Sequence, residues 1–66
     1  MVEDVKGCVR GIVERLTVDR YSIFSEKVFM FAAELGIGDR LVQESLQQLI
    51  DDRFITEPVA GVLRRV

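Results

Sequence analysis

The sequence predicts a small α+β domain in which three helices precede a C-terminal β-hairpin. The chain has 66 residues, enough for one domain and too few for two. Three stretches repeat apolar residues at helical spacing, and residues 54–66 change to β-branched residues around one proline and one glycine. This change of pattern places the helices first and the strands last.

The composition limits which functions are open to the chain. Hydrophobic residues make up 48% and charged residues 30%, and the longest uncharged apolar run, residues 28–33, is far shorter than the roughly 20 residues of a membrane span. The formal charge of −2 has the wrong sign for a module that binds phosphates. With no histidine and one cysteine, Cys8, the chain has no internal disulfide and no usual zinc site. We therefore expect no catalytic residue, no metal, no cofactor and no membrane contact.

Helix 1 is predicted over about residues 3–17. Its apolar positions fall on one face: Val5, Cys8, Val9, Ile12, Val13 and Leu16. Gly7 and Gly11 lie on the other face and weaken the helix by about 1 kcal/mol each relative to alanine. Two interpretations remain open, a weak first helix or a close approach by another backbone.

Helix 2 is predicted over about residues 26–35. A very short strand at residues 21–24 is expected to precede it, and Ser25 is a candidate N-cap. Gly36 occupies the position that favours a left-handed C-terminal cap. The predicted buried face contains Val28, Phe31, Ala32 and Leu35.

Helix 3 is predicted over about residues 39–52, capped by Gly38 or Asp39 and ending near Asp52 or Arg53. Its apolar set is helical in period: Leu41, Val42, Leu46, Leu49 and Ile50. Residues 54–66 then predict a β-hairpin with a five-residue loop, Glu57 to Gly61, which sets Ile55 opposite Leu63.

Three helices followed by a hairpin, with a tight Gly-Ile-Gly connection between helices 2 and 3, is the element order of a winged helix-turn-helix. Helix 3 is then the recognition helix, and the hairpin is the wing. The alternative is a small α+β domain of another kind.

The C-terminal third resembles the end of the minichromosome maintenance (MCM) replicative helicases, those of archaea above all. The stretch LIDDRFITEPVAGVLRRV, Leu49 to Val66, has their order of a helix, an Ile-x-Glu-Pro strand, two residues, a glycine, and a closing strand that ends in basic residues and a hydrophobe. The matching positions are Ile55, Glu57, Pro58, Gly61, Leu63, Arg64, Arg65 and Val66.

The resemblance implies that the chain is the C-terminal winged-helix module of an ATP-driven DNA helicase, with the motor upstream. The module itself is then non-catalytic and acts in regulation of the motor or in protein docking during DNA replication. The implied partners are other domains of the parent helicase and origin-binding loader proteins, and the implied location is intracellular and cytoplasmic.

The sequence also departs from the family pattern at the wing. Asp52 and Arg53 replace the usual glycine before the wing strand, and Val59 and Ala60 replace the usual basic residue and proline. The wing therefore lacks a positive charge that is usual in that family, which argues against DNA contact by the wing.

Helix 3 presents an acidic exposed face. This face carries Arg40, Gln43, Glu44, Gln47 and Asp51, with a formal charge of −1. Because phosphate attraction supplies most non-specific DNA affinity, this charge favours solvent or a protein partner over base readout. The rival interpretation is a transcription regulator that reads duplex DNA with helix 3, through Gln43 and Gln47.

Two further groups of residues are candidate contact sites. Arg53, Arg64 and Arg65 form the basic cluster of the sequence and either solubilise the wing or contact the DNA backbone weakly. Phe29 and Met30 lie off the predicted buried stripe of helix 2, so they either pack between helices 1 and 3 or form a partner surface together with Arg40, Gln43 and Gln47. We expect the isolated domain to be a monomer with weak or no DNA binding.

Overall fold

A computed structural model describes residues 4–66 and confirms a small α+β architecture with three helices. The elements are α1 (Val5–Leu16), β1 (Ser22–Phe24), α2 (Ser25–Glu34), α3 (Asp39–Asp51), β2 (Ile55–Val59) and β3 (Val62–Arg65). The strands form one antiparallel sheet in the order β1-β3-β2, so the last strand in the chain is the central strand of the sheet. The predicted start of helix 1 at residue 3 lies outside the described residues.

The first helix is capped by a side chain that the sequence analysis did not single out. Asp4 is the N-cap of α1, and its Oδ1 accepts a hydrogen bond of 2.8 Å from the Gly7 backbone N–H. A Cβ atom at position 7 would collide with this carboxylate, whereas a Cβ at Gly11 would meet open space. Within residues 4–66, no other backbone therefore approaches either glycine, and Gly7 serves the cap of its own helix.

The expected N-cap role of Ser25 is wrong, because α2 already includes Ser25 and the capping position belongs to Phe24. Phe24 has no side chain that accepts hydrogen bonds, so the N–H groups of the first turn need other acceptors. The Ser25 N–H donates to the Gly61 carbonyl at 2.9 Å. The turn of the hairpin thus satisfies one donor at the start of α2 and fixes the hairpin to that helix.

The predicted left-handed cap at the end of α2 is confirmed. Gly36 has φ +82°, its N–H bonds to the Ala33 carbonyl, and the Ile37 N–H bonds to the Ala32 carbonyl at 2.9 Å. These two bonds form a Schellman motif, in which a left-handed residue satisfies the last carbonyls of the helix. Ile37 then turns back into the core, where it is buried.

The end of α3 repeats this motif without glycine. The Arg53 N–H bonds to the Ile50 carbonyl and the Phe54 N–H to the Leu49 carbonyl, which gives Arg53 a φ of +61°. A left-handed conformation costs a residue with a Cβ about 1–2 kcal/mol. Arg53 therefore occupies a strained position that favours glycine.

The hairpin differs from the predicted five-residue loop. The strand β2 continues through Pro58 to Val59, and Ala60 and Gly61 alone form the turn, with φ +84° at Gly61. Proline is tolerated here because β2 is an edge strand and the pairing shifts register between Thr56 and Val59. The Glu57 carboxylate closes the turn by accepting a hydrogen bond of 3.0 Å from the Gly61 N–H.

The shorter turn also changes the strand register. Ile55 lies opposite Arg65, not opposite Leu63 as predicted, and Leu63 pairs with Ile23 of β1. Ile55 and Leu63 are nevertheless both buried, because the face of the sheet that they share packs against the helices.

The core draws residues from every element and from the Ile37 connection. Its twelve buried apolar residues are Val9, Ile12, Val13, Ile23, Val28, Ala32, Ile37, Val42, Leu46, Leu49, Ile55 and Leu63. Three residues predicted on buried faces, Phe31, Leu35 and Leu41, are instead 44%, 54% and 47% exposed. A domain this small has too few elements to cover the flanks of each apolar stripe, so only the centre of the stripe is buried.

We predict that Leu49→Ala lowers the free energy of unfolding by about 2–5 kcal/mol, since Leu49 is fully buried on α3. The matched control is Leu41→Ala on the same helix, which should cost less than about 1 kcal/mol because Leu41 is half-exposed. Urea denaturation of both variants measures the difference. A Leu49→Ala midpoint equal to that of the unsubstituted chain contradicts the assigned core.

We predict that Arg53→Gly stabilises the domain by about 0.5 kcal/mol. The relief of the left-handed strain outweighs the greater chain entropy that glycine adds to the unfolded state. Gln48→Gly, an exposed position inside α3, is the control and should destabilise by about 1 kcal/mol. Thermal melts that show equal losses for the two variants would exclude a strained Arg53.

Candidate functional site

On the exposed face of α3, each charged side chain lies beside a polar or oppositely charged side chain of the same helix. Arg40 Nε lies 3.6 Å from Glu44 Oε1, and Gln47 Nε2 donates a hydrogen bond of 3.1 Å to Asp51 Oδ1. Gln43 shares this face, and all five predicted side chains are exposed. The one cation thus lies beside an anion of its own helix, and the net charge of the five residues stays at −1.

The two arginines of the predicted wing do not form one cluster. Consecutive strand residues point to opposite faces of a sheet, so Arg64 and Arg65 diverge. The Arg64 guanidinium lies over the Tyr21 ring at 4.9 Å, and the Arg65 guanidinium lies over the Phe54 ring at 4.3 Å. Each arginine is therefore held against its own aromatic ring by a cation–π contact.

Arg10, which was not predicted as a candidate contact residue, joins Arg65 at Phe54. Arg10 of α1 places its guanidinium 4.4 Å from the centroid of the Phe54 ring, and its Nε also lies 3.7 Å from Glu14 Oε1. We call Arg10, Phe54 and Arg65 the arginine–aromatic cluster. The four-residue spacing of Arg10 and Glu14 shows that they share a helix face, but only the folded chain shows which ring that face meets.

Arg53 lies at the same end of the domain. It precedes Phe54 in the chain and is exposed, and the Val66 N–H bonds to the Phe54 carbonyl at 3.3 Å. Lys6 of α1 forms an ion pair with Asp52, the residue that precedes Arg53. This end of the domain therefore carries both signs of charge, with Arg53 and the arginine–aromatic cluster as its basic part.

The predicted partner surface is divided by the fold. Phe29 is half-buried against the core, whereas Met30, the next residue, is 55% exposed. Gln43 and Gln47 lie beside Phe29 in a small pocket of about 160 Å³ between α2, α3 and the hairpin. Arg40 does not line this pocket and is almost fully exposed.

A larger apolar groove lies between α1 and α2. It has a volume of about 430 Å³, and the residues that line it are Ile12, Arg15, Leu16, Phe31, Glu34 and Leu35. We call it the α1–α2 groove. Helical periodicity marked its apolar residues as core, so the sequence alone gave no sign that this part of both stripes stays open to solvent.

The outer face of the sheet carries a second apolar surface. Phe24, Val62 and Val59 lie directly opposite one another across the three strands, and Phe24 and Val59 are largely exposed. This row depends on the register of β1 against β3. In the sequence, therefore, only the short strand predicted before Ser25 pointed to this apolar surface.

Among residues 4–66, no group of acidic or cysteine side chains is arranged to hold a metal ion. In the same range, no helix has both the length and the apolar character needed to span a membrane. Comparisons with protein-family models, curated protein sequences and solved structures return no match for this chain.

We predict a coupling energy of about 0.5–1 kcal/mol between Arg10 and Phe54 in a double-mutant cycle of Arg10→Ala and Phe54→Leu, because the ring contacts the guanidinium directly. The control cycle pairs Phe54→Leu with Arg64→Ala, whose guanidinium lies over Tyr21 instead. That cycle should show a coupling near zero in urea denaturation. Equal coupling in the two cycles would contradict a specific Arg10–Phe54 contact.

Proposed function

We propose that the chain is a winged-helix module that docks proteins and has weak or no DNA binding of its own. The order of helices and strands supports the winged-helix assignment, with β1 and the hairpin completing one sheet. The connection between α2 and α3 has only four residues, Gly36 and Gly38 among them, and this short turn supports the assignment of α3 as the second helix of a helix-turn-helix.

The charge of α3 is the observation that carries this proposal. A helix that enters the major groove passes between two rows of phosphates, and cations on its exposed face supply much of the attraction. On α3 the guanidinium of Arg40 is beside Glu44, and Asp51 adds a further negative charge. This face repels phosphates and suits a protein surface better.

The basic residues at the hairpin end support only weak phosphate contact. Lys6 is paired with Asp52 and Arg10 lies near Glu14, which leaves Arg53, Arg64 and Arg65. Arg64 and Arg65 point to opposite faces of the sheet. One phosphate backbone therefore meets few of these cations at a time, and the gain from counterion release is small.

The exposed apolar residues favour protein docking. Among residues 4–66, nine large hydrophobic side chains are exposed: Val18, Tyr21, Phe24, Met30, Phe31, Leu35, Leu41, Val59 and Val66. Aromatic residues and methionine are enriched in protein interfaces, and an attached module gains effective concentration from its linkage. Small apolar surfaces of this kind are therefore sufficient for protein binding when the module is tethered to a larger protein.

The replication context rests on the resemblance of the C-terminal third to MCM helicases. On that basis the module is a non-catalytic C-terminal part of an MCM-type replicative helicase and regulates the motor or docks a partner. Its partners are then the other domains of the helicase and origin-binding loader proteins.

A second candidate function is DNA reading by a transcription regulator. One observation favours it: Gln43 and Gln47 are exposed one turn apart on α3, and glutamine amides can bond to the edges of adenine. The two candidates predict opposite effects of substituting these glutamines.

We predict that the 66-residue chain binds mixed-sequence duplex DNA with a Kd of about 10⁻⁴ M or weaker at physiological salt, because α3 repels phosphates. Replacing Arg64 and Arg65 with alanine should remove the residual binding and its salt dependence. Replacing Gln43 and Gln47 with alanine is the matched control and should change the affinity less than about twofold. Fluorescence anisotropy with labelled duplexes measures all three.

The opposite outcome is sub-micromolar, sequence-dependent binding that disappears in the Gln43 and Gln47 variant. That result would overturn the docking proposal in favour of the transcription regulator.

A further inference from the structure

We infer that the α1–α2 groove binds one amphipathic helix of a partner protein, with acidic residues along one flank of its apolar stripe and basic residues along the other. This inference rests on the proposed docking function and specifies the chemistry of one partner. It concerns a surface on the helices, separate from the exposed face of α3 and from the arginine–aromatic cluster.

The shape of the groove fits a helix. Ile12 and Leu16 are one turn apart on α1, and Phe31 and Leu35 are one turn apart at the end of α2, so each helix contributes a pair of apolar residues. Ile12 is 9% exposed and forms the floor, whereas Phe31 and Leu35 keep about half of their surface in water. A helix of a partner protein that lies in the α1–α2 groove buries the remaining apolar surface, as helices do in bundles.

The charges of the groove specify the flanks of that helix. Arg15 lines the α1 side and Glu34 the α2 side. The three ion pairs formed among residues 4–66 lie elsewhere: Lys6–Asp52, Arg10–Glu14 and Arg40–Glu44. Arg15 and Glu34 thus have no salt-bridge partner in this range, and a helix with acids facing Arg15 and bases facing Glu34 complements both and binds in one direction.

The size of the groove favours a single helix over a second copy of the chain. A stable interface buries about 800 Å² per partner and uses roughly 20–30 residues on each side. That area is about a sixth of the 4767 Å² surface of this domain, and the groove is lined by only six residues. Helix-in-groove recognition needs only a few apolar anchors at helical spacing, which four apolar lining residues can hold.

The test uses the 66-residue chain and a designed peptide as the probe. The peptide has about 15 residues, leucine at positions i, i+4, i+7 and i+11, glutamate on one flank, lysine on the other and alanine elsewhere, with blocked ends and a fluorescein label. A peptide of the same composition with scrambled order is the control. Anisotropy should show saturable binding of one designed peptide per chain and no saturation by the scrambled peptide up to about 1 mM.

Substitutions in the protein locate the binding. Replacing both Phe31 and Leu35 with alanine should weaken binding by about tenfold or more, because both are apolar lining residues. Met30→Ala is the matched control, since Met30 is equally exposed on α2 but does not line the groove, and it should change the affinity less than about twofold. Circular dichroism melts show whether each variant remains folded.

Reversing the charge at position 15 changes which peptide binds more tightly, and a loss of protein stability cannot cause that change. Arg15→Glu leaves the groove with two acidic residues, Glu34 among them, so the designed peptide should bind about fivefold more weakly. A peptide with lysine on both flanks should prefer this variant to the unsubstituted chain by a similar factor. Because the preference reverses between two peptides, unfolding cannot produce it.

Three outcomes would overturn the inference. They are equal binding of the scrambled peptide, an affinity unchanged by the Phe31 and Leu35 substitutions, and a concentration-dependent dimer that Phe31→Ala abolishes in sedimentation, which would assign the groove to a second copy. If the peptide does not bind and the chain also binds no DNA, only the assignment of the groove is wrong, and the proposed docking function is unaffected. Tight DNA binding through Gln43 and Gln47 removes the proposed function, whatever the peptide result.

Discussion

The central position of β3 in the sheet is the constraint on which the rest of the structure depends. β3 is the last strand in sequence, yet it pairs with β1 on one side and β2 on the other, and Leu63 at its middle is buried opposite Ile23. The bond from the Ser25 N–H to the Gly61 carbonyl joins the hairpin turn to the start of α2. Because these contacts join distant parts of the chain, the core is complete only when the C-terminal residues are in place. This also fixes which side of the sheet stays exposed.

The sequence predicted local features well because local features depend on neighbouring residues. The three helices, the left-handed cap at Gly36 and the exposed face of α3 all follow from helical period and from terminal residues. The hairpin register was wrong because Pro58 is equally compatible with a turn and with an edge strand, and only pairing with β3 decides between them. The arginine–aromatic cluster and the α1–α2 groove join residues far apart in sequence, so no local pattern marked either one.

The exposed face of α3 lies apart from the two apolar surfaces of the domain. On α3, acidic residues lie beside the cation, and at the hairpin end the aromatic rings of Tyr21 and Phe54 each hold an arginine of β3. The apolar surfaces lie in the α1–α2 groove and along the outer face of the sheet. Such a division suits a tethered module that meets proteins through its helices and approaches DNA, if at all, through one end. This division agrees with the proposed docking function.

The most direct test of this division is a residue-by-residue NMR map of the ¹⁵N-labelled chain during addition of duplex DNA at low salt. Low salt strengthens every phosphate contact, so weak binding becomes visible without changing where it occurs. We expect amide shifts confined to the hairpin end, around Arg53, Phe54, Arg64 and Arg65, with the amides of α3 from Arg40 to Gln48 unmoved. Shifts that run along α3 and saturate with one DNA sequence would contradict it.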